Sequence, residues 1–228
     1  MRADARVGLY YAPAADDPLW RCGTAWLGRD PKTNAPCAQP DLPDIARVTA
    51  DARGYGFHAT LKAPMRLREG CGWSDVLAAA EAVAASVPAF DLPALAVTNL
   101  GGFLALCEAA PSAALQAAAD ACVAGLDHLR APASEAELAR RRKGGPLPPA
   151  EEATLQRWGY MYAFATWRFH MTLTRRLAPP EHDIYRPAAE AYFAAALAQP
   201  RRVRDLCLFT QADPEAPFVL AQRLPLAG

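Results

Sequence analysis

The chain is expected to fold as an α+β protein in which two antiparallel sheets flank a central cleft and helices pack outside. Short alternating apolar runs bounded by Gly, Pro and Asn predict the strands. Long alanine-rich stretches predict the helices, because Ala is the strongest helix former. The order strand, loop, helix, Pro, strand, turn, strand also occurs twice, which predicts a duplicated, bilobal architecture.

In chain order, Arg6–Ala12 reads as a strand with Val7, Leu9 and Tyr11 on one face and Tyr10 on the other. Asp16-Asp17-Pro18 opens a helix over Leu19–Leu27. Residues 28–43 read as loop, 44–52 as a short helix, Gly54-Tyr55-Gly56 as a break and 57–64 as a strand. A helix capped by Ser74 ends near Pro88, and strands over 90–98 and 103–107 follow. Pro111-Ser112 starts a helix reaching about Arg130, and Ser134-Glu135-Ala136-Glu137 is a capping box before a basic run, Arg140 to Lys143. After a helix over 151–158 come a strand over 167–176, a helix over 180–198, and strands over 203–211 and 218–224.

The repeat holds in detail at a spacing of 112 residues: Phe57, His58, Thr60 and Leu61 match Phe169, His170, Thr172 and Leu173, and Pro88 matches Pro200. One bilobal domain over 1–228 is therefore expected. Its first lobe core spans about 54–108, its helical insertion about 112–158 and its second lobe core about 166–226, with the strand at 6–12 completing a sheet.

Composition narrows the function. The 24 basic and 24 acidic residues cancel, so long nucleic acid is not expected as a partner, since each neutralised phosphate needs its own Lys or Arg. No run approaches a membrane-spanning length, and neither membrane association nor a secretory leader is expected. The six cysteines form no C-x-x-C pair and read as free thiols, which places the chain in the cytoplasm by default. The oligomeric state is left open.

Two of the four histidines lie in Phe57-His58-Ala59-Thr60-Leu61 and Phe169-His170-Met171-Thr172-Leu173. Residues i and i+2 of a strand share a face, so each motif presents an imidazole and a hydroxyl while its apolar residues anchor the back. One neutral imidazole can take a proton from an attacking oxygen, and a charged one can protonate a leaving oxygen. Hydroxyls can donate to phosphoryl oxygens where charge builds. A lone His in an apolar strand is usually structural; two copies at the repeat spacing argue for phosphodiester chemistry. A metal needs at least three ligands, and neither motif contains a Cys or carboxylate, so no metal and no cofactor is expected.

These paired motifs resemble the two-histidine phosphoesterase superfamily. The flanking stretches Trp26-Leu27-Gly28-Arg29-Asp30, Tyr55 to Pro64, Glu137 to Arg142, Arg157-Trp158-Gly159-Tyr160 and Arg168 to Thr174 resemble its subfamily of phosphonate metabolism proteins. The resemblance implies a bilobal α+β fold, catalysis by His58 and His170, and phosphate contacts from Thr60 and Thr172. It implies a small phosphorylated substrate, a cyclic phosphate or phosphodiester such as a ribose cyclic phosphate. The alternatives are an RNA 2′,3′-cyclic phosphate end-processing or ligase-like enzyme, and an inactive nucleotide- or phosphosugar-binding protein. Tyr10, Tyr55, Lys62, Arg168 and Thr174 are the substrate-binding candidates; Lys62, Arg168 and Thr174 are chosen because period two puts them on the motif faces. The Arg140–Lys143 run is either a solvated helix end or a flap over an anion. His128 and His182 read as surface or structural.

Overall fold

The computed structural model describes residues 5–142 and 145–228. Lys143 of the basic run lies outside the described residues. The strands are β1 (Arg6–Tyr11), β2 (Ala59–Met65), β3 (Phe90–Leu92), β4 (Leu95–Leu100), β5 (Phe103–Glu108), β6 (His170–Arg176), β7 (Arg201–Val203), β8 (Asp205–Gln211) and β9 (Val219–Pro225). The helices are α1 (Pro18–Leu27), α2 (Ile45–Val48), α3 (Ala50–Tyr55), α4 (Trp73–Ser86), α5 (Ala113–Leu126), α6 (Glu135–Arg142), α7 (Pro149–Trp158) and α8 (Pro179–Leu197).

The predicted α+β class is correct: a large antiparallel sheet in the order β4-β5-β6-β2-β1-β8-β9 accompanies a small one, β3-β7. The large sheet has two halves. They meet at a single registered pair, Ala59 opposite Met171, where β2 lies antiparallel to β6. Those residues are repeat equivalents, so the contact is self-complementary, as at a twofold axis. The second axial contact is β3 against β7, with Phe90 opposite Val203. In space β6 joins β4–β5, and β2 reaches β8–β9 through β1, so each half of the large sheet takes strands from distant parts of the chain.

Local chemistry explains most boundaries. Asp17 caps α1, its carboxylate accepting from the Leu19 N–H at 2.7 Å. Ser112 caps α5 the same way. The Ser134–Glu137 box forms in both directions. At α4 the N-cap is Gly72, whose N–H donates to the Asp75 carboxylate, and not Ser74. The strand expected over 90–98 is two strands in different sheets, because Pro93 between them has no N–H for a ladder.

The main core lies behind the sheet under the alanine-rich helices and takes in Val7, Leu9, Tyr11, Phe57, Leu61, Phe169, Met171 and Leu173. A smaller cluster on the front face holds Tyr10, Trp20, Cys207, Phe209 and Phe218. Tyr10 thus sits opposite its strand neighbours, as alternation predicts. All six cysteines are free thiols. Among the described residues no helix is long and apolar enough to cross a membrane.

Candidate active site

The site grows from the one pair that joins the half-sheets. With Ala59 opposite Met171 and the strands antiparallel, His58 faces Thr172 and Thr60 faces His170. Directly opposed residues share a face. The front therefore carries a quartet with imidazoles on one diagonal and hydroxyls on the other, while fully buried Ala59 and Met171 fix it from behind. The Trp167 indole N–H donates to the Thr60 carbonyl at 2.9 Å, tying the two motifs together where the ladder opens.

Each imidazole is oriented the same way. Nδ1 of His58 lies 2.9 Å from the Gly56 carbonyl, and Nδ1 of His170 lies 2.9 Å from the Arg168 carbonyl. A carbonyl only accepts, so both Nδ1 atoms carry the proton and both Nε2 atoms are left for chemistry. Nε2 of His58 accepts from the Thr60 hydroxyl at 3.2 Å. The turn that supplies the first carbonyl needs Gly56, at φ 83°. Buried Arg29, from the Trp26–Asp30 stretch, holds that turn by donating to the carbonyls of Arg53 and Gly54.

The two sites differ electrostatically. His58 stacks on Tyr10 with ring centroids 3.9 Å apart, and Phe209 lies 5.9 Å away. Burial in this aromatic box pulls its pKa down to about 4; the Gly56 hydrogen bond opposes the shift and nearby His170 adds to it. Burial lowers the His170 pKa too, against the Arg168 carbonyl contact.

His58, Thr60 and Thr172 line a cavity of about 280 Å³ together with Arg6, Tyr10, Tyr55, Arg141 and Tyr160. His170 lines an adjoining one with Phe103, Arg168 and Tyr160. Tyr160 borders both. Of the secondary candidates, Tyr10, Tyr55 and Arg168 therefore lie at the quartet.

Lys62 and Thr174 do not. The β1–β2 register shifts between Leu9 opposite Lys62 and Tyr10 opposite Thr60. This bulge breaks the alternation and turns Lys62 to the back. There its amine donates to the Val123 carbonyl and pairs with Asp127 at 3.2 Å. Thr174 sits where the β5–β6 register also shifts, and its hydroxyl accepts from the Leu104 N–H, standing in for a ladder acceptor. His128 and His182 line neither cavity of the quartet. Among the described residues no group of three or more His, Cys, Asp or Glu is placed to hold a metal ion.

The reading of the sequence missed Arg6 and Tyr160 as site residues and placed Arg141 only in a basic run. Tyr160 follows Gly159, the left-handed cap of α7, at φ 69°. An aromatic directly after a helix-ending Gly was the available signal.

Comparison with known proteins adds a family. Residues 60–219 match the model of the family described as "Protein of unknown function (DUF1045)". Two curated relatives are both named ribose 1,5-bisphosphate phosphokinase PhnN. The protein from Janthinobacterium sp. (strain Marseille) is 44% identical over 98% of this chain and 51% of its own length. The one from Laribacter hongkongensis (strain HLHK9) is 38% identical over 95% of this chain and 51% of its own length. The chain thus spans about half the length of the curated relatives it matches. Among solved structures, E. coli LigT complexed with 3′-AMP is similar over 99% of both chains at 15% identity and a TM-score of 0.46. At that level the likeness carries no weight for function.

Proposed function

The chain belongs to the protein family described as "Protein of unknown function (DUF1045)", and for this member we propose a metal-independent phosphodiesterase that opens a small cyclic phosphate by paired-histidine acid–base catalysis. The observation that carries the reading is the Ala59–Met171 pair, which brings both His-x-Thr motifs to one face with both Nε2 atoms unprotonated when neutral. The phosphorus sits between the diagonals. Neutral His58 takes the proton of a water whose oxygen attacks phosphorus; His170, as imidazolium, protonates the ring oxygen as its bond to phosphorus breaks. The more strongly lowered pKa of His58 suits it to the base. Thr60 and Thr172 donate to the non-bridging oxygens, and Thr60 exchanges its contact with His58 for the phosphate.

The curated relatives are named for a kinase acting on ribose 1,5-bisphosphate. This sequence has no G-x-x-x-x-G-K-[S/T] phosphate loop, so what carries over from the name is the substrate chemistry, a phosphorylated ribose, and not the kinase reaction. A few hundred Å³ suits a molecule of that size. A turnover screen of 2′,3′-, 1,2- and 3′,5′-cyclic phosphates in strong chelator tests the proposal. Ring opening of at least one is expected; activity that vanishes in chelator and returns with zinc would replace it with a metal mechanism.

A further inference from the structure

We propose that the Arg6–Tyr10–Arg141 wall of the His58 cavity is a second anion subsite, which binds a terminal phosphate monoester on the same small molecule whose cyclic phosphate occupies the histidine–threonine quartet. The substrate class is then a sugar cyclic phosphate bearing a second, non-reacting phosphate. This rests on the reading of the quartet as a phosphodiesterase site.

Three observations converge. Arg6 and Arg141 come from elements far apart in the sequence, β1 and α6, yet line the cavity that holds His58, Thr60 and Thr172. Among the described residues neither guanidinium has a carboxylate in ion-pair range, although Arg66, Arg130, Arg142 and Arg175 all do. The acidic group that acts on Arg141, Glu137, is itself paired with Arg66, so neither guanidinium has a carboxylate of its own. Arg6 donates to the Gln211 amide oxygen at 2.6 Å and lies over Phe218, and Arg141 lies 5.1 Å over the Tyr160 ring. Burial accordingly lowers the Arg141 pKa. A half-buried, unpaired guanidinium calls for an anion.

The third observation is the Tyr10 hydroxyl. Tyr10 is fully buried and lines the same cavity, and among the described residues its hydroxyl has no hydrogen-bond partner. A buried donor of this kind is normally satisfied. Its position is built in: a Cβ at Gly8 would stand 2.8 Å from the hydroxyl oxygen, so only glycine there lets the ring lie flat along β1. Two guanidiniums and one hydroxyl match the charge and donor needs of a phosphate dianion. On the His170 side, Arg176 is engaged with the Gly101 carbonyl and exposed, which makes it the natural control.

The full chain is titrated calorimetrically with ribose 5-phosphate and with ribose, for wild type, Arg141→Ala, Tyr10→Phe and Arg176→Ala. Ribose 5-phosphate should bind and ribose should not. Arg141→Ala should weaken binding about tenfold or more, as expected for a lost charged hydrogen bond. Arg176→Ala should stay within about twofold. Tyr10→Phe should weaken binding yet raise the Tm by a few degrees, because it removes an unsatisfied buried hydroxyl. That opposite movement separates a binding role from a folding defect. Affinity unchanged in Arg141→Ala, or reduced more in Arg176→Ala, overturns the subsite. The kinetic arm compares ribose 1,2-cyclic phosphate with and without a 5-phosphate. The kcat/KM ratio should exceed about ten in wild type and fall toward one in Arg141→Ala. Equal turnover of both substrates by wild type keeps the phosphodiesterase reading and removes the subsite. Arg141-dependent binding without ring opening keeps the subsite and removes the reaction.

Discussion

Replacing either His58 or His170 by alanine is expected to lower kcat on a cyclic phosphate by about 10²–10⁴-fold while the protein stays folded. The imidazoles sit on the half-buried front of β2 and β6, whereas the residues that anchor those strands, Phe57, Ala59, Phe169 and Met171, are on the other face and untouched by the change. Acid and base act in one transition state, so the double variant should be little worse than the poorer single one. Thr60→Val and Thr172→Val should cost less, because each removes one donor to the non-bridging oxygens and leaves proton transfer in place. The steady-state rates of these five variants check the assignment. Either single histidine variant retaining wild-type kcat would remove that residue from the chemistry.

The second large effect concerns stability. Asp127→Ala is expected to destabilise the protein by about 3 kcal/mol or more, because it leaves the Lys62 ammonium in the core without a counter-charge. The Lys62 and Asp127 side chains are 5% and 14% exposed, and Asp127 also receives two hydrogen bonds from Arg130. Burial already lowers the Lys62 pKa, with Asp127 opposing the shift. Without Asp127 the pKa falls further. Between that folded value and the unfolded value of about 10.4, the unfolded chain binds more protons than the folded one. The stability of Asp127→Ala should therefore rise as the pH is raised through this window. Adding Lys62→Met to Asp127→Ala should recover much of the loss. Urea denaturation at pH 7 and 9.5 measures both effects. A stable Asp127→Ala protein with no pH dependence would mean that Lys62 is solvated.

The same bulge that puts Lys62 in the core marks where the sequence stops being legible. His58, Thr60, His170 and Thr172 could be placed on one face from sequence because each His and its Thr lie two residues apart ahead of any register shift, and the duplication supplies the motif twice. Lys62 lies one bulge beyond, and a register shift inverts every side chain after it. Thr174 failed for the same reason in β6, where a second irregularity recruits its hydroxyl to the backbone. Pro93, which has no N–H for a ladder, divides the strand expected over 90–98 between two sheets. The joining of the half-sheets at one pair, and the exchange of strands between repeats, depend on long-range pairing that no local pattern encodes. Arg6, Arg141 and Tyr160 reach the site by that same topology, from β1, α6 and the residue after the α7 cap.

The pH dependence of kcat/KM in metal-free buffer tests the paired-histidine mechanism most directly, because it reports the ionisations of the free enzyme. The base must be neutral and the acid charged. With His58 drawn down to about 4 and His170 also lowered from its ordinary value near 6.5, the predicted profile is a bell that rises through about pH 4 and falls before 6.5, its limbs belonging to the coupled pair. The kcat profile should be displaced to higher pH, since bound phosphate favours the charged imidazoles. A kcat/KM profile that stays flat from pH 4 to 8 would contradict the mechanism.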